Sequence, residues 1–87
     1  MRTSELPNIG PVLEGHLRAA GIETAEQLRA VGAEEAFCRI RASAKPDACL
    51  HELEALAGAV EGIRKSLLSR ARKEALRRYF AALNQTQ

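Results

Sequence analysis

The sequence predicts an all-α fold: about five short helices closed into one domain. Three observations predict it. Ala, Leu, Glu and Arg dominate and favour helix, while Val, Ile, Thr and aromatic residues never alternate over a usable stretch, so strand signals are scarce. Gly and Pro cut the chain into about five pieces of helical length. The length, 87 residues, is too short to close two independent cores. The domain is therefore expected to span residues 1–87, with its core from about 5 to 83 and a frayed tail over 84–87.

The elements follow in order. A very short piece starts at Thr3 or Ser4 and is ended by Pro7, because the residue before proline avoids the helical region. Pro11 suits the first position of a new helix, where its missing N–H is not needed. That helix runs to about Ala20 and stops at Gly21, with Leu13, Leu17 and Ala20 on one face. Ile22 folds back to the core. Thr24-Ala-Glu-Gln27 spells a capping box and opens a short helix with Leu28 and Val31 inward and Gly32 as its stop. Ala33 to Ala42 forms the next helix, with Ala36, Phe37 and Ile40 together. Ser43-Ala-Lys-Pro46 reads as a loop. Pro46 and Asp47 open a longer helix through about Ile63, and Ser69 caps a last helix to about Leu83.

Composition limits the function. Hydrophobic residues make up 46% and charged residues 28%, as in ordinary globular domains. Aromatics are 3% with no Trp, too few for a stacking platform that would hold single-stranded nucleic acid. No apolar run is long enough to span a bilayer, and the N-terminus lacks a secretory signal, so no membrane partner is expected. Cys38 and Cys49 have no CxxC spacing and read as buried or half-buried reduced thiols of a cytoplasmic protein.

The net charge is only +2, but it is unevenly placed. Residues 1–44 carry five basic and six acidic side chains, whereas residues 64–78 carry seven basic ones and one acid. On a helical wheel Arg70, Lys73, Arg77 and Arg78 share the polar side of the last helix with Glu74 alone opposing them, while Leu68, Ala71, Ala75, Leu76, Tyr79, Phe80 and Leu83 share the apolar side. With Arg64 and Lys65 they form a candidate anion-facing surface. The long helix has two stripes. Cys49, Leu50, Leu53, Leu56, Ala57, Val60 and Ile63 fall within an arc of about 140°. Ala55, Gly58, Ala59 and Gly62 form a second one. Two glycines inside a helix cost about 1 kcal/mol each, so this stripe is a candidate for close helix packing, within the chain or against a partner.

The segment Leu6-Pro-Asn-Ile-Gly-Pro-Val-Leu-Glu-Gly-His-Leu17, followed by Ala20-Gly-Ile22, resembles a helix–hairpin–helix, in which a tight turn presents backbone N–H groups to a phosphate. Ile9 would be the buried plug and Gly10 the point of close approach. Asn8 stands where the motif usually has its first Gly and tolerates the same left-handed conformation. Pro11 removes one donor from the turn, and Glu14 puts a negative charge one turn into the helix.

The segments Leu6-Pro-Asn-Ile-Gly10, Ala20-Gly-Ile-Glu-Thr24, Glu26-Gln-Leu-Arg-Ala-Val-Gly32, Ala33-Glu-Glu-Ala-Phe37, Pro46-Asp-Ala-Cys-Leu50 and Leu56-Ala-Gly-Ala-Val-Glu-Gly-Ile-Arg64 together resemble the C-terminal domain of the TfoX/Sxy proteins, bacterial regulators of competence for DNA transformation. The resemblance runs from about Leu6 to Leu83. It implies an all-helical domain with a helix–hairpin–helix-like unit; the N-terminal domain of full-length TfoX proteins has no counterpart here, so the expectation is either a stand-alone small member or a separated domain. Lys65 stands where family members tend to have a Trp, and Glu54 where they often have a Tyr.

No catalytic pattern emerges. Cys49 and His51, the only close Cys–His pair, are two apart on a helix and point about 200° from each other, so they cannot share a metal. No Ser/His/Asp pattern, P-loop or GxGxxG is present. The expectation is a non-enzymatic regulatory module with no cofactor, metal or small-molecule substrate. Two partners fit. Duplex DNA would meet Asn8, Ile9, Gly10, Arg64, Lys65, Arg70, Lys73, Arg77 and Arg78 in sequence-independent contact. A protein, either a second copy or a separately encoded TfoX N-terminal domain, would meet the stripe Ala55, Gly58, Ala59 and Gly62. The alternative reading is a homo-oligomeric adaptor with no nucleic-acid role.

Overall fold

The structure, a computed structural model, describes residues 1–85. A 3-10 turn at Thr3–Glu5 precedes α1 (Pro11–Ala19), α2 (Ala25–Val31), α3 (Ala33–Ser43) and α4 (Leu50–Glu61); a second 3-10 turn at Lys65–Leu67 then leads into α5 (Arg70–Gln85). The fold is all-α, and the described residues contain no strand; one isolated bridge joins Arg2 to Thr24.

Local chemistry sets the boundaries. Pro11 is the first residue of α1, and Gly21 reverses the chain behind it with a φ of 84°. Thr24 accepts a hydrogen bond from the Gln27 amide at 3.1 Å, while the Gln27 side chain accepts from the Thr24 amide at 3.1 Å, completing the capping box. Gly32 closes α2 and opens α3. Ser69 caps α5 by accepting from the Arg72 amide.

Three boundaries differ from the sequence reading. The long helix starts at Leu50, not at Pro46, so Cys49 is its N-cap and is exposed where burial on the apolar arc was expected, while Cys38 is half-buried as expected. Pro46 and Asp47 instead form a turn that delivers Ala48 to the core, held by Arg41 donating to the Pro46 carbonyl. The same helix ends before Gly62, which is left-handed at φ 76°. Ile63 N–H donates to the Gly58 carbonyl and Gly62 N–H to the Ala59 carbonyl, so Gly62 is the pivot of a Schellman turn and not a packing residue inside the helix. Finally, α5 includes Asn84 and Gln85, and Asn84 accepts from Arg41 at 3.1 Å. The rest of the expected frayed tail, 86–87, lies outside the described residues.

The core is continuous, with Phe37, Leu17, Ile22, Leu28, Ile40, Leu53, Leu56 and Leu76 essentially without exposure. Helix α4 is its axis. It packs on α2, α3, α5 and the second 3-10 turn, and it buries Leu53 through Ala59 except for the half-buried Glu54. Small side chains on its second stripe make this all-round burial sterically feasible. Ala71, placed on the apolar side of the last helix by the wheel, is exposed, and so is Leu67. No helix among the described residues is long and apolar enough to cross a membrane.

Candidate nucleic-acid interface

Helix α5 sinks one face into the core through Leu76, with Tyr79, Phe80 and Leu83 half-buried beside it. The period of 3.6 then turns Arg70, Lys73, Glu74, Arg77 and Arg78 to the outside. Leu68, Arg70, Lys73, Glu74 and Arg77 line an open groove of about 360 Å³. Three cations face one carboxylate there, Glu74. Among the described residues, Arg64, Lys65, Arg70, Lys73, Arg77 and Arg78 form no ion pair with a carboxylate.

Outside residues 64–78 three cations meet a carboxylate, while Arg18, Arg29 and Arg41 form no ion pair among the described residues. Arg2 meets Glu14, Arg39 meets Glu35 and Lys45 meets Glu52. Arg72 is the exception within the basic segment. It points inward from α5 and grips Glu34 with two hydrogen bonds, of 2.6 and 2.9 Å, while its Nε lies 3.9 Å from Glu61. The hydrogen bond from Arg72 holds the Glu34 carboxyl below the ordinary carboxylate range, and the same pairing raises the Arg72 guanidinium. Beside them the Tyr79 hydroxyl lies 2.9 Å from Cys38 Sγ and donates to the Glu34 carbonyl at 3.3 Å. Burial first, then the contact with Cys38, pushes the Tyr79 phenol up. This cluster fixes how α5 lies on α3, and hence which way the outer cations face. The signal for Arg72 was present in the sequence: it lies four residues before Leu76 and seven before Tyr79, on the buried side of the wheel.

The hairpin segment is organised differently. Ile9 is buried as the plug, and Gly10 is exposed as the N-cap of α1, with no side chain to cap it. Asn8 has a positive φ of 70° and turns its side-chain amide into the protein. Its Nδ2 donates to the carbonyls of Ile63 at 2.9 Å and Ala55 at 3.3 Å, and its Oδ1 accepts from the Lys65 amide at 3.0 Å. Glu14, one turn into α1, accepts from Arg2 Nε and Nη2 and from the Ser4 amide. Those bonds, Arg2's foremost, hold its carboxyl down at about 2.

The small-residue stripe faces this segment. Ala55, Gly58 and Ala59 are buried, and a Cβ on Gly58 would lie 2.5 Å from Asn8 Nδ2. No sequence signal joined Asn8 to Gly58, because the pair meets only in the tertiary fold. A further polar cluster joins Lys45 to Glu52 at 2.7 Å, with His16 Nδ1 at 3.8 Å from the same carboxylate. Among the described residues, no group of three or more His, Cys, Asp or Glu could hold a metal ion.

Fold and surface thus define a small helical domain with a hairpin unit tied to its central helix and a basic segment made of the second 3-10 turn and the outer face of α5. The family model for the TfoX C-terminal domain matches residues 1–80, and the chain belongs to that family. Two solved structures are similar. The crystal structure of an uncharacterized protein from Listeria monocytogenes, triclinic form, is 46% identical with a TM-score of 0.93, covering 97% of this chain and 94% of that one. A protein of unknown function from Listeria monocytogenes, tetragonal form, is 48% identical with a TM-score of 0.89, covering 93% of this chain and 98% of that one. No curated protein matches the chain.

Proposed function

We propose that this domain is a non-enzymatic regulatory module that meets the phosphate backbone of duplex DNA through its basic segment, without reading base sequence. The observation that carries this reading is the clustering of six unpaired cations, Arg64, Lys65, Arg70, Lys73, Arg77 and Arg78, in one short segment where Arg72 alone meets carboxylates; the unpaired Arg18, Arg29 and Arg41 are scattered along the rest of the chain. Charges left without internal partners are free to replace condensed counterions on a polyanion. The outer face of α5 offers no Asn or Gln array that would read base edges, which supports backbone contact over specific readout. Membership of the TfoX C-terminal family supports a place in the regulation of competence and transcription, in the bacterial cytoplasm and alongside a protein partner. Ala55, Gly58 and Ala59 are occupied within the chain, which supports a docking surface elsewhere than on that stripe.

Fluorescence anisotropy with short duplexes of two unrelated sequences tests the reading. Both duplexes should bind equally. The logarithm of the association constant should fall with the logarithm of salt concentration with a slope of about −4 to −5, the value for five or so neutralised phosphates. The triple variant Arg70→Glu, Lys73→Glu, Arg77→Glu should abolish binding. Absence of any binding by micromolar protein at about 50 mM salt, where backbone contact is strong, refutes the proposal.

A further inference from the structure

We infer that Asn8 is a positioning residue for the basic segment: its side chain fixes the backbone of residues 63–65 and so sets the points from which Arg64 and Lys65 project. The inference rests on the duplex-backbone reading above.

Three observations carry it. First, one amide makes three hydrogen bonds that straddle the exit from α4: to the carbonyl of Ala55 inside the helix, to the carbonyl of Ile63 just past the Schellman turn, and from the N–H of Lys65 at the start of the 3-10 turn. Arg64 lies between the last two, so its backbone is held on both sides. Second, the arrangement is costly. Asn8 occupies a left-handed conformation, and Gly58 sits inside a helix, where glycine is a poor former. No other residue fits at position 58. A Cβ there would lie 2.5 Å from Asn8 Nδ2, 2.8 Å from the Ile63 carbonyl oxygen and 3.1 Å from the Lys65 nitrogen. Third, the segment held this way does little for the core. Arg64, Lys65, Ser66 and Leu67 are all exposed, and the chain is already anchored on either side by half-buried Ile63 and buried Leu68. What the three bonds define is the course of an exposed loop that carries two unmatched cations.

A loop ordered beforehand loses less freedom on docking, so both cations engage together and at a fixed offset from α5. Asn8 acts on binding through Lys65 and Arg64, with no phosphate contact of its own.

The test compares the full chain with Asn8→Gly, Gly58→Ala and Arg64→Ala/Lys65→Ala, each verified as folded by circular dichroism, in the same duplex titrations. Asn8→Gly keeps the left-handed conformation accessible and removes all three bonds. It should weaken binding about 3- to 10-fold and make the salt slope shallower by about one to two, the contribution of two phosphate contacts. Gly58→Ala should do the same, and the Asn8→Gly/Gly58→Ala double variant should be no weaker than either alone, since both break one device. In the Arg64→Ala/Lys65→Ala background, Asn8→Gly should have no further effect. Arg29→Ala, remote in sequence and on α2, serves as the control and should bind as the wild type does. Amide exchange at Lys65 should quicken in Asn8→Gly.

Faster exchange with wild-type affinity and slope would show the three bonds to be structural only and overturn the inference. So would an equal loss on adding Asn8→Gly to the Arg64→Ala/Lys65→Ala background. If Asn8→Gly and Gly58→Ala do not fold, Asn8→Asp, which keeps an acceptor for the Lys65 amide but loses both donors, takes their place; wild-type binding by it overturns the inference equally. A wild-type chain that does not bind duplex at all removes the functional reading and this inference with it, an outcome distinct from wild-type binding with indifferent variants.

Discussion

Glu14 shows how one side chain can change meaning between sequence and structure. By spacing alone it is a negative charge near the mouth of a phosphate-binding turn. In the fold its carboxylate is taken up by Arg2 and the Ser4 amide, and it ties the N-terminal 3-10 turn to α1. No local pattern links positions 2 and 14, so the pairing was not legible beforehand. Its consequence is a pH dependence of definite sign. The folded-state carboxyl is depressed to about 2, from an ordinary 4.5. The stabilisation it brings is therefore fully present above the ordinary value and is lost as the pH falls through that range towards 2. Melting temperatures measured by circular dichroism between neutral pH and about pH 2.5 should fall less steeply for Glu14→Gln than for the wild type. Identical profiles would show that Glu14 makes no such contribution.

Elements were legible where backbone chemistry is local. Pro11, Gly21, the Thr24–Gln27 capping box and Gly32 each carry their instruction within four residues, and each holds its expected place. The start of α4 was not legible, because the choice between Pro46 and Leu50 is made at a distance: the turn at 46–47 brings Ala48 into the core and keeps Lys45 within reach of Glu52. Gly58 and Gly62, alike on a wheel, prove to be different devices. The first leaves space for a neighbour, and the second supplies a left-handed turn at φ 76°. Gly15 is different again, lying inside α1 with nothing within 4 Å of where a Cβ would be. Denaturant unfolding should therefore rank the alanine variants. Gly15→Ala should gain about 0.5–1 kcal/mol from helix propensity and Gly62→Ala should lose about 1 kcal/mol to left-handed strain. The reverse ranking would contradict the assigned turn.

At the scale of the molecule, stability and charge are distributed unequally. Helix α4 is surrounded on most sides, and α3 buries Ala33, Ala36, Phe37 and Ile40. Helix α5, the longest, sinks only Leu76 completely and is otherwise held by half-buried side chains and by the Arg72–Glu34 pair. Local opening costs least where fewest apolar contacts are lost. Native-state hydrogen exchange should accordingly show amides of α5 opening at lower free energy than those of α3 and α4; uniform protection across the three would refute this ordering. The concentration of basic residues after position 63 was plain in the sequence. Which of them are free was not, because matching is three-dimensional: Arg72 finds Glu34, 38 residues away, while its neighbours on α5 find no carboxylate.

The Asn8 amide has a bearing on how the chain is made. Its partners lie 47, 55 and 57 residues further on. Joining such distant points carries a loop-closure cost that must be met before the bonds return anything, so contacts of this kind belong late in folding. The first ten residues are made with their most demanding side chain unserved, and it stays so until Lys65, about three quarters of the way along the polypeptide, has been added. The shape of the loop bearing Arg64 and Lys65 is thus among the last things the newborn molecule acquires.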